Sequence, residues 1–156
     1  MTAGPPAPQV GRPAPAFSLP DTHGTPVTLA GLAGGPVALV FVPFAFSGTC
    51  TGELCELRDN LAAFQQAGVH LAAISCDPMF SLRAWAEQEG YSFDLLSDFW
   101  PHGAAARAYG VFDEGAGIAL RGSFLVDGDG ILRWSVVNPR GQARPLSGYL
   151  EALAAL

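Results

Sequence analysis

The run Val37-Ala38-Leu39-Val40-Phe41, entered through Gly34-Gly35-Pro36 and left through Val42-Pro43, is apolar at every position. A short run without alternation suits a central strand covered on both faces, the arrangement of a sheet sandwiched between helices. Downstream, Glu53 to Gln66 places Leu54, Leu57, Leu61 and Phe64 at helical spacing. Val69–Ser75 reads as a second buried strand and Met79–Glu89 as a second helix with Trp85 inward. Upstream, Phe17–Leu19 and Val27–Leu29 are short strands separated by the turn Asp21-Thr22-His23-Gly24. Toward the end come a short helix at Gly103–Tyr109 and a hairpin, Ser123–Val126 with Ile131–Val137, around Asp127-Gly128-Asp129-Gly130. Leu146–Leu156 closes as a helix. The order predicts one α/β domain with a mixed central β-sheet flanked by helices.

Composition agrees with a single core. The chain has 156 residues, 49% hydrophobic and only 14% charged, which excludes disorder for most of its length. Its net charge is -6, and its eight basic residues are all arginine, so no basic stripe exists for nucleic acid or an anionic membrane surface. The apolar stretch Pro36 to Phe46 is too short to span a bilayer and contains two prolines. Met1-Thr2-Ala3-Gly4-Pro5-Pro6 lacks the basic start and apolar stretch of a signal peptide, so a cytoplasmic protein with reduced thiols is expected. Three cysteines are too few for a disulfide scaffold. Residues 1–15 are proline-rich and read as an arm, leaving residues 16–156 as the domain.

The chemistry concentrates in Pro43-Phe44-Ala45-Phe46-Ser47-Gly48-Thr49-Cys50. This segment puts Cys50 in the first turn of a helix at the carboxyl end of a central strand, where free backbone N–H groups favour an anion. Moving a thiol from about 8.5 to roughly 6 requires about 3.4 kcal/mol of differential stabilisation. A helix terminus supplies about 0.3–1 and at most about 2 kcal/mol, so a second source is needed. With no lysine and three scattered histidines, that source is an arginine. Ionisation has its own ceiling. A free cysteine is already a few per cent thiolate, so full ionisation gains only about thirtyfold, partly cancelled by lower nucleophilicity. Fast chemistry at Cys50 must come from donors that stabilise charge on a leaving atom: Ser47 Oγ, the helix-start N–H groups and an arginine.

Pro43-x-x-x-Ser47-x-x-Cys50, with Glu53 three residues on, resembles the peroxidatic motif of peroxiredoxins. Gly11-Arg12-Pro13-Ala14-Pro15-Ala16-Phe17-Ser18-Leu19, Trp85, Leu95-Leu96-Ser97-Asp98, Tyr109-Gly110-Val111 and Arg121-Gly122-Ser123-Phe124-Leu125-Val126-Asp127 follow in the family's order. Ser97 to Gly103 and Gly115 to Ala119 are most similar to the alkyl hydroperoxide reductase E group. The resemblance implies a thioredoxin-like fold and a thiol peroxidase for hydrogen peroxide, organic hydroperoxides and peroxynitrite. It implies Cys50 as the peroxidatic cysteine and Pro43 as its shield. Ser47 would bond the peroxide, Arg121 would stabilise the thiolate and transition state, and Glu53 would orient that network. Ser47 stands where threonine is commoner in the family. The resemblance implies no haem, flavin or metal. It implies a homodimer and a thiol reductant such as thioredoxin, a mycothiol-linked redoxin or mycothiol.

Cys55 resembles, by its spacing, the resolving cysteine of the bacterioferritin comigratory protein type. On a regular helix the two cysteines lie about 140° apart, with Cα atoms roughly 8–9 Å apart. A disulfide tolerates about 7 Å, so a Cys50–Cys55 bond predicts unwinding of the helix start. The alternatives are a small helix residue at Cys55, with an external thiol resolving Cys50, or a redox-sensing binding module on the same fold. Cys76 reads as a small buried hydrophobe. The cysteines lack zinc-finger spacing, and no C-x-x-C of a disulfide oxidoreductase exists. Glu53 fails a capping-box register, because Cys50 rather than Ser or Thr precedes it by three. Arg58 and Arg144 are secondary candidates for charge near the site, and His102 reads as a loop or interface residue. Asp127-Gly128-Asp129-Gly130 lacks the later ligands of a calcium loop. Phe44, Phe46, Phe99 and Trp100 fit a site mouth, a dimer face or core packing equally.

Overall fold

A computed structural model describes residues 7–32 and 34–156. The chain begins with β1 (Ser18–Pro20), β2 (Pro26–Thr28), the single turn α1 (Leu29–Leu32) and β3 (Val37–Phe41). There follow α2 (Gly48–Asp59), α3 (Leu61–Gln66), β4 (His70–Ser75), α4 (Met79–Glu89) and β5 (Asp94–Ser97). The last third holds α5 (Ala104–Ala108), β6 (Phe112–Asp113), β7 (Ile118–Ala119), β8 (Arg121–Val126), β9 (Leu132–Asn138) and α6 (Leu146–Ala154).

The main sheet has the order β5-β4-β3-β8-β9. β3 runs parallel to β4 and β4 to β5, whereas β8 is antiparallel to β3 and β9. The sheet is therefore mixed, as expected. β3 sits at its centre, which is why its sequence shows no polar alternation. Ala38, Val40 and Val42 face a core completed by Leu54, Leu57, Phe64, Trp85 and Tyr149 from the helices. Val37, Leu39 and Phe41 face a second core with Leu29, Ala105, Tyr109 and Phe124. Every β3 side chain is thus buried, on alternating sides.

Three sequence expectations need correction. The periodic stretch expected as a helix over Glu53–Gln66 is the later part of a helix that begins at Gly48, with Cys50 in its first turn as expected, and it breaks at Asn60, whose φ of -117° and ψ of 19° are not helical. The leucine stripe crosses that break because α2 and α3 both pack on one core. Leu95–Ser97 belongs to an edge strand, β5, which its pairing with Ala72–Ser75 defines. A small β6–β7 hairpin, also not expected, follows α5.

Met1 to Pro6, which carry the signal-peptide argument and part of the proline-rich arm, lie outside the described residues. The rest of that arm is fastened to the start of β9. Gly11 N donates to Leu132 O (2.8 Å), Leu132 N to Arg12 O (2.9 Å), and Ala14 N to Gly130 O (2.9 Å). Asp127 Oδ1 accepts from the N–H groups of Asp129 and Ile131, so the Asp-Gly-Asp-Gly stretch is the β8–β9 turn. Among the described residues, no helix is long and apolar enough to cross a membrane.

Candidate active site

The loop that leaves β3 is shaped before it reaches Cys50. Val42 N still pairs with Ile74 O (2.9 Å), and Pro43 is buried. Ala45 N donates to Asp77 Oδ2 (2.8 Å), a carboxylate that also accepts from Ser75 Oγ (2.7 Å) at the tip of β4. The chain then turns through Phe46, a non-glycine residue at φ 66°, whose exposed ring lies 6.2 Å from that of Trp85. This turn delivers Ser47 as the N-cap of α2, where its Oγ accepts from Cys50 N at 3.2 Å. An N-cap serine satisfies one of the unpaired N–H groups of the first turn, which explains the helix start at Gly48.

Cys50 is fully buried, at 0% exposure. Arg121, the first residue of β8, places Nη1 3.3 Å from Cys50 Sγ and donates with the same nitrogen to Glu53 Oε1. Its Nε donates to Arg140 O at 2.6 Å. Glu53 accepts from Arg144 through its backbone N (2.7 Å), Nε (2.9 Å) and Nη2 (3.0 Å). Arg144 Nη1 is spread over Phe41 O, Gly122 O and Ser123 Oγ, so this guanidinium ties β3 to β8. Burial pushes the Glu53 carboxyl up, but hydrogen bonds and charge from Arg144, with charge from Arg121, hold it below its ordinary value. Two guanidiniums on one ionised carboxylate leave a surplus positive charge beside the sulfur, which attracts an anion there.

Cys55 occupies another face of α2. Its Sγ donates to Glu89 Oε2 (3.4 Å) and lies 3.6 Å from Tyr91 Oη. Burial pushes the Tyr91 phenol up, so it keeps its proton, which it donates over a long 3.4 Å to Thr51 O. Trp85 Nε1 donates to Thr51 Oγ1 (3.2 Å), and Arg58 Nη1 to Glu89 O (2.5 Å).

The structure therefore brings Ser47, Cys50, Glu53 and Arg121 together at the start of α2 and holds Cys55 on another face, while Pro43 is buried in the loop between β3 and α2. Of the secondary candidates, Arg144 is at the centre of the network, whereas Arg58 lies near Cys55. Glu89 and Tyr91 carry no sequence signal, because contacts with Cys55 from residues more than thirty positions away leave no local pattern, and Thr51 is singled out only by Trp85 and Tyr91, which are equally remote. Cys76 is buried, and desolvation with the nearby Asp98 and Asp77 pushes its thiol up to about 12. His102 Nε2 bonds Gly117 O (2.7 Å), a loop-holding role. Phe44, Phe46, Phe99 and Trp100 are all exposed, which removes core packing as their role. Among the described residues, no cluster of three or more His, Cys, Asp or Glu side chains could hold a metal.

Known proteins resemble this chain along most of its length. The AhpC/TSA family matches residues 10–135. Alkyl hydroperoxide reductase E of Mycobacterium tuberculosis is 49% identical over 148 residues, covering 94% of this chain and 97% of that protein. A putative peroxiredoxin of the same organism is 38% identical over 126 residues, 77% of this chain and 79% of that protein. The crystal structure of peroxidoxin BcpB from M. tuberculosis superposes with a TM-score of 0.85 at 30% identity, covering 96% of this chain and 98% of that one. The fold is the thioredoxin-like one of peroxiredoxins, as the sequence resemblance implied.

Proposed function

The chain belongs to the AhpC/TSA family and is a peroxidase of the peroxiredoxin type, and from that premise we propose how its residues divide the reaction. The Cys50 thiolate attacks the terminal oxygen of a peroxide ROOH. The S–O bond forms as the O–O bond breaks, sulfur gives up two electrons, and RO⁻ leaves and takes a proton from water to become ROH. Arg121 steadies the thiolate and the charge growing on the leaving oxygen. Ser47 Oγ accepts from Cys50 N and keeps its own proton free to donate to the bound peroxide. Glu53, held by Arg144, keeps Arg121 aimed, and Pro43 shields the sulfur from water.

Cys55 then attacks the Cys50 sulfenic acid. The S–S bond forms, the S–O bond breaks, and water leaves with the Cys55 proton. A dithiol or low-molecular-weight thiol (thioredoxin, a mycothiol-linked redoxin or mycothiol) reduces the disulfide and returns both cysteines. Hydrogen peroxide and organic hydroperoxides are the substrates, with peroxynitrite as a third. Exposed Phe44 and Phe46 within the motif favour an organic R group. The protein works as a homodimer in the cytoplasm, where such reductants are available.

The contact of Arg121 Nη1 with Cys50 Sγ is the observation that carries this reading. Its test is the intact mass of wild type, Cys50→Ser and Cys55→Ser after one equivalent of hydrogen peroxide. A loss of about 2 Da in wild type alone, with a trappable sulfenic acid in Cys55→Ser, is the expected result. Engagement of Cys55 with Glu89 favours a second reading, in which an external thiol reduces Cys50 directly. A sulfenic acid that persists in wild type would select that reading. Peroxide turnover that survives Cys50→Ser would refute both.

A further inference from the structure

Thr51, Cys55 and Arg58 form one stripe of α2, and all three are held from α4 and the residues just after it. Trp85 takes the Thr51 hydroxyl, Tyr91 the Thr51 carbonyl, Glu89 the Cys55 thiol, and the Glu89 carbonyl takes Arg58. Thr51 O has a particular place in this stripe. In an α-helix it is the acceptor for the N–H of Cys55, four residues on, so it closes the turn that separates the two cysteines. Tyr91 Oη approaches both that carbonyl and Cys55 Sγ, at 3.4 and 3.6 Å. The phenol is itself fixed by an edge contact with Trp85 (5.4 Å) and a stack on Phe93 (5.2 Å).

Cysteines five residues apart on a helix are too far apart to bond, at roughly 8–9 Å between Cα atoms against a limit of about 7 Å. The turn closed by Thr51 O must open first. We propose that Tyr91 is a positioning residue for the resolving step: its hydroxyl holds that turn shut, and its release sets how fast disulfide replaces sulfenic acid at Cys50. The proposal rests on the reading of Cys55 as the resolving cysteine. It adds that the fully helical form, in which Cys50 meets peroxide, is kept closed from the segment that follows α4 and not by α2 alone. A sulfenic acid that waits longer for Cys55 is open for longer to a second peroxide, which would carry it to sulfinic acid.

Tyr91→Phe keeps the ring, its stack on Phe93 and its edge contact with Trp85, and removes only the hydroxyl. The experiment mixes wild type and Tyr91→Phe with one equivalent of hydrogen peroxide and quenches at short times. Mass then separates sulfenic acid from disulfide, and amide hydrogen exchange over residues 51–56 is measured on the reduced proteins. Loss of one long, partly buried hydrogen bond predicts disulfide formation about 2- to 5-fold faster in the variant. Amide exchange over residues 51–56 should rise by a similar factor, while loss of the Cys50 thiol to peroxide keeps its wild-type rate. With excess peroxide, the variant also accumulates less sulfinic acid. Equal or slower disulfide formation in Tyr91→Phe overturns the inference and leaves the role of Cys55 intact. If neither protein forms the disulfide, the resolving role of Cys55 falls, and this inference with it.

Discussion

Arg121 Nη1 stands 3.3 Å from Cys50 Sγ and bonds Glu53 Oε1 with the same nitrogen. One guanidinium nitrogen thus reaches both the sulfur and the carboxylate from 71 and 68 residues away in sequence. Removing the guanidinium takes away the nearest cation to the sulfur while Arg144 still holds Glu53.

Arg121→Gln is therefore expected to slow oxidation of Cys50 by about 10²- to 10³-fold, the usual cost of losing a preorganised transition-state donor. Arg121→Lys recovers only part, because an ammonium lacks the planar fork that reaches sulfur and carboxylate together. Stopped-flow or rapid-quench oxidation measures both. A loss below about tenfold in Arg121→Gln would sink the assignment of Arg121.

Glu53 gives a pH dependence with a definite sign. Its carboxyl is held below the usual 4.5 in the folded protein, so its contribution to stability is complete above that value and disappears as pH falls through the lower folded value. Urea midpoints between pH 7 and pH 3 should fall more steeply in wild type than in Glu53→Gln. Breaking the pair from the other side, with Arg144→Leu, leaves the carboxylate short of its main partner. That change should cost about 3–5 kcal/mol at neutral pH.

Ser47 caps α2, and the proposed function gives it a second, separable task at the peroxide. Ser47→Ala removes the cap on Cys50 N and should lower stability by about 1 kcal/mol while also slowing peroxide reduction. Ser47→Thr keeps the hydroxyl and should retain both. Thermal unfolding read alongside oxidation kinetics tests this, and an alanine variant that loses stability but no rate would leave Ser47 as a cap only.

Cys76, whose thiol is pushed up to about 12, should stay unmodified when native protein is treated with iodoacetamide at pH 8. Cys76→Ala should leave peroxide turnover within about twofold of wild type. Labelling of Cys76 at a rate comparable with Cys55 would contradict its burial.

The parts of this molecule that sequence could reveal are those decided locally. Val37–Phe41 is apolar throughout because both sheet faces are covered, and Met79–Glu89 carries its own period and ends at Gly90 in a left-handed cap. β5 escaped because four residues, Asp94-Leu95-Leu96-Ser97, carry too short a period. Pairing with β4, not propensity, makes them a strand. The start of α2 is legible only from the motif that puts Cys50 in a first helical turn, because Gly48-Thr49-Cys50-Thr51-Gly52 are small and polar and the leucine stripe begins only at Leu54. In the site, Ser47, Cys50 and Glu53 share one segment and could be read together. Arg144 makes most of the Glu53 contacts from 91 residues away, in a loop before α6 that carries no motif.

Phe46 narrows what substitution can do at the entrance to α2. A left-handed backbone is costly for a β-branched side chain, so valine or isoleucine would be excluded there despite matching hydropathy. Glycine or asparagine would accept the backbone at once, yet each would give up the ring that lies against Trp85. The position is bounded by conformation on one side and by packing on the other. Few single replacements satisfy both, and mutational tolerance should be low at this surface aromatic.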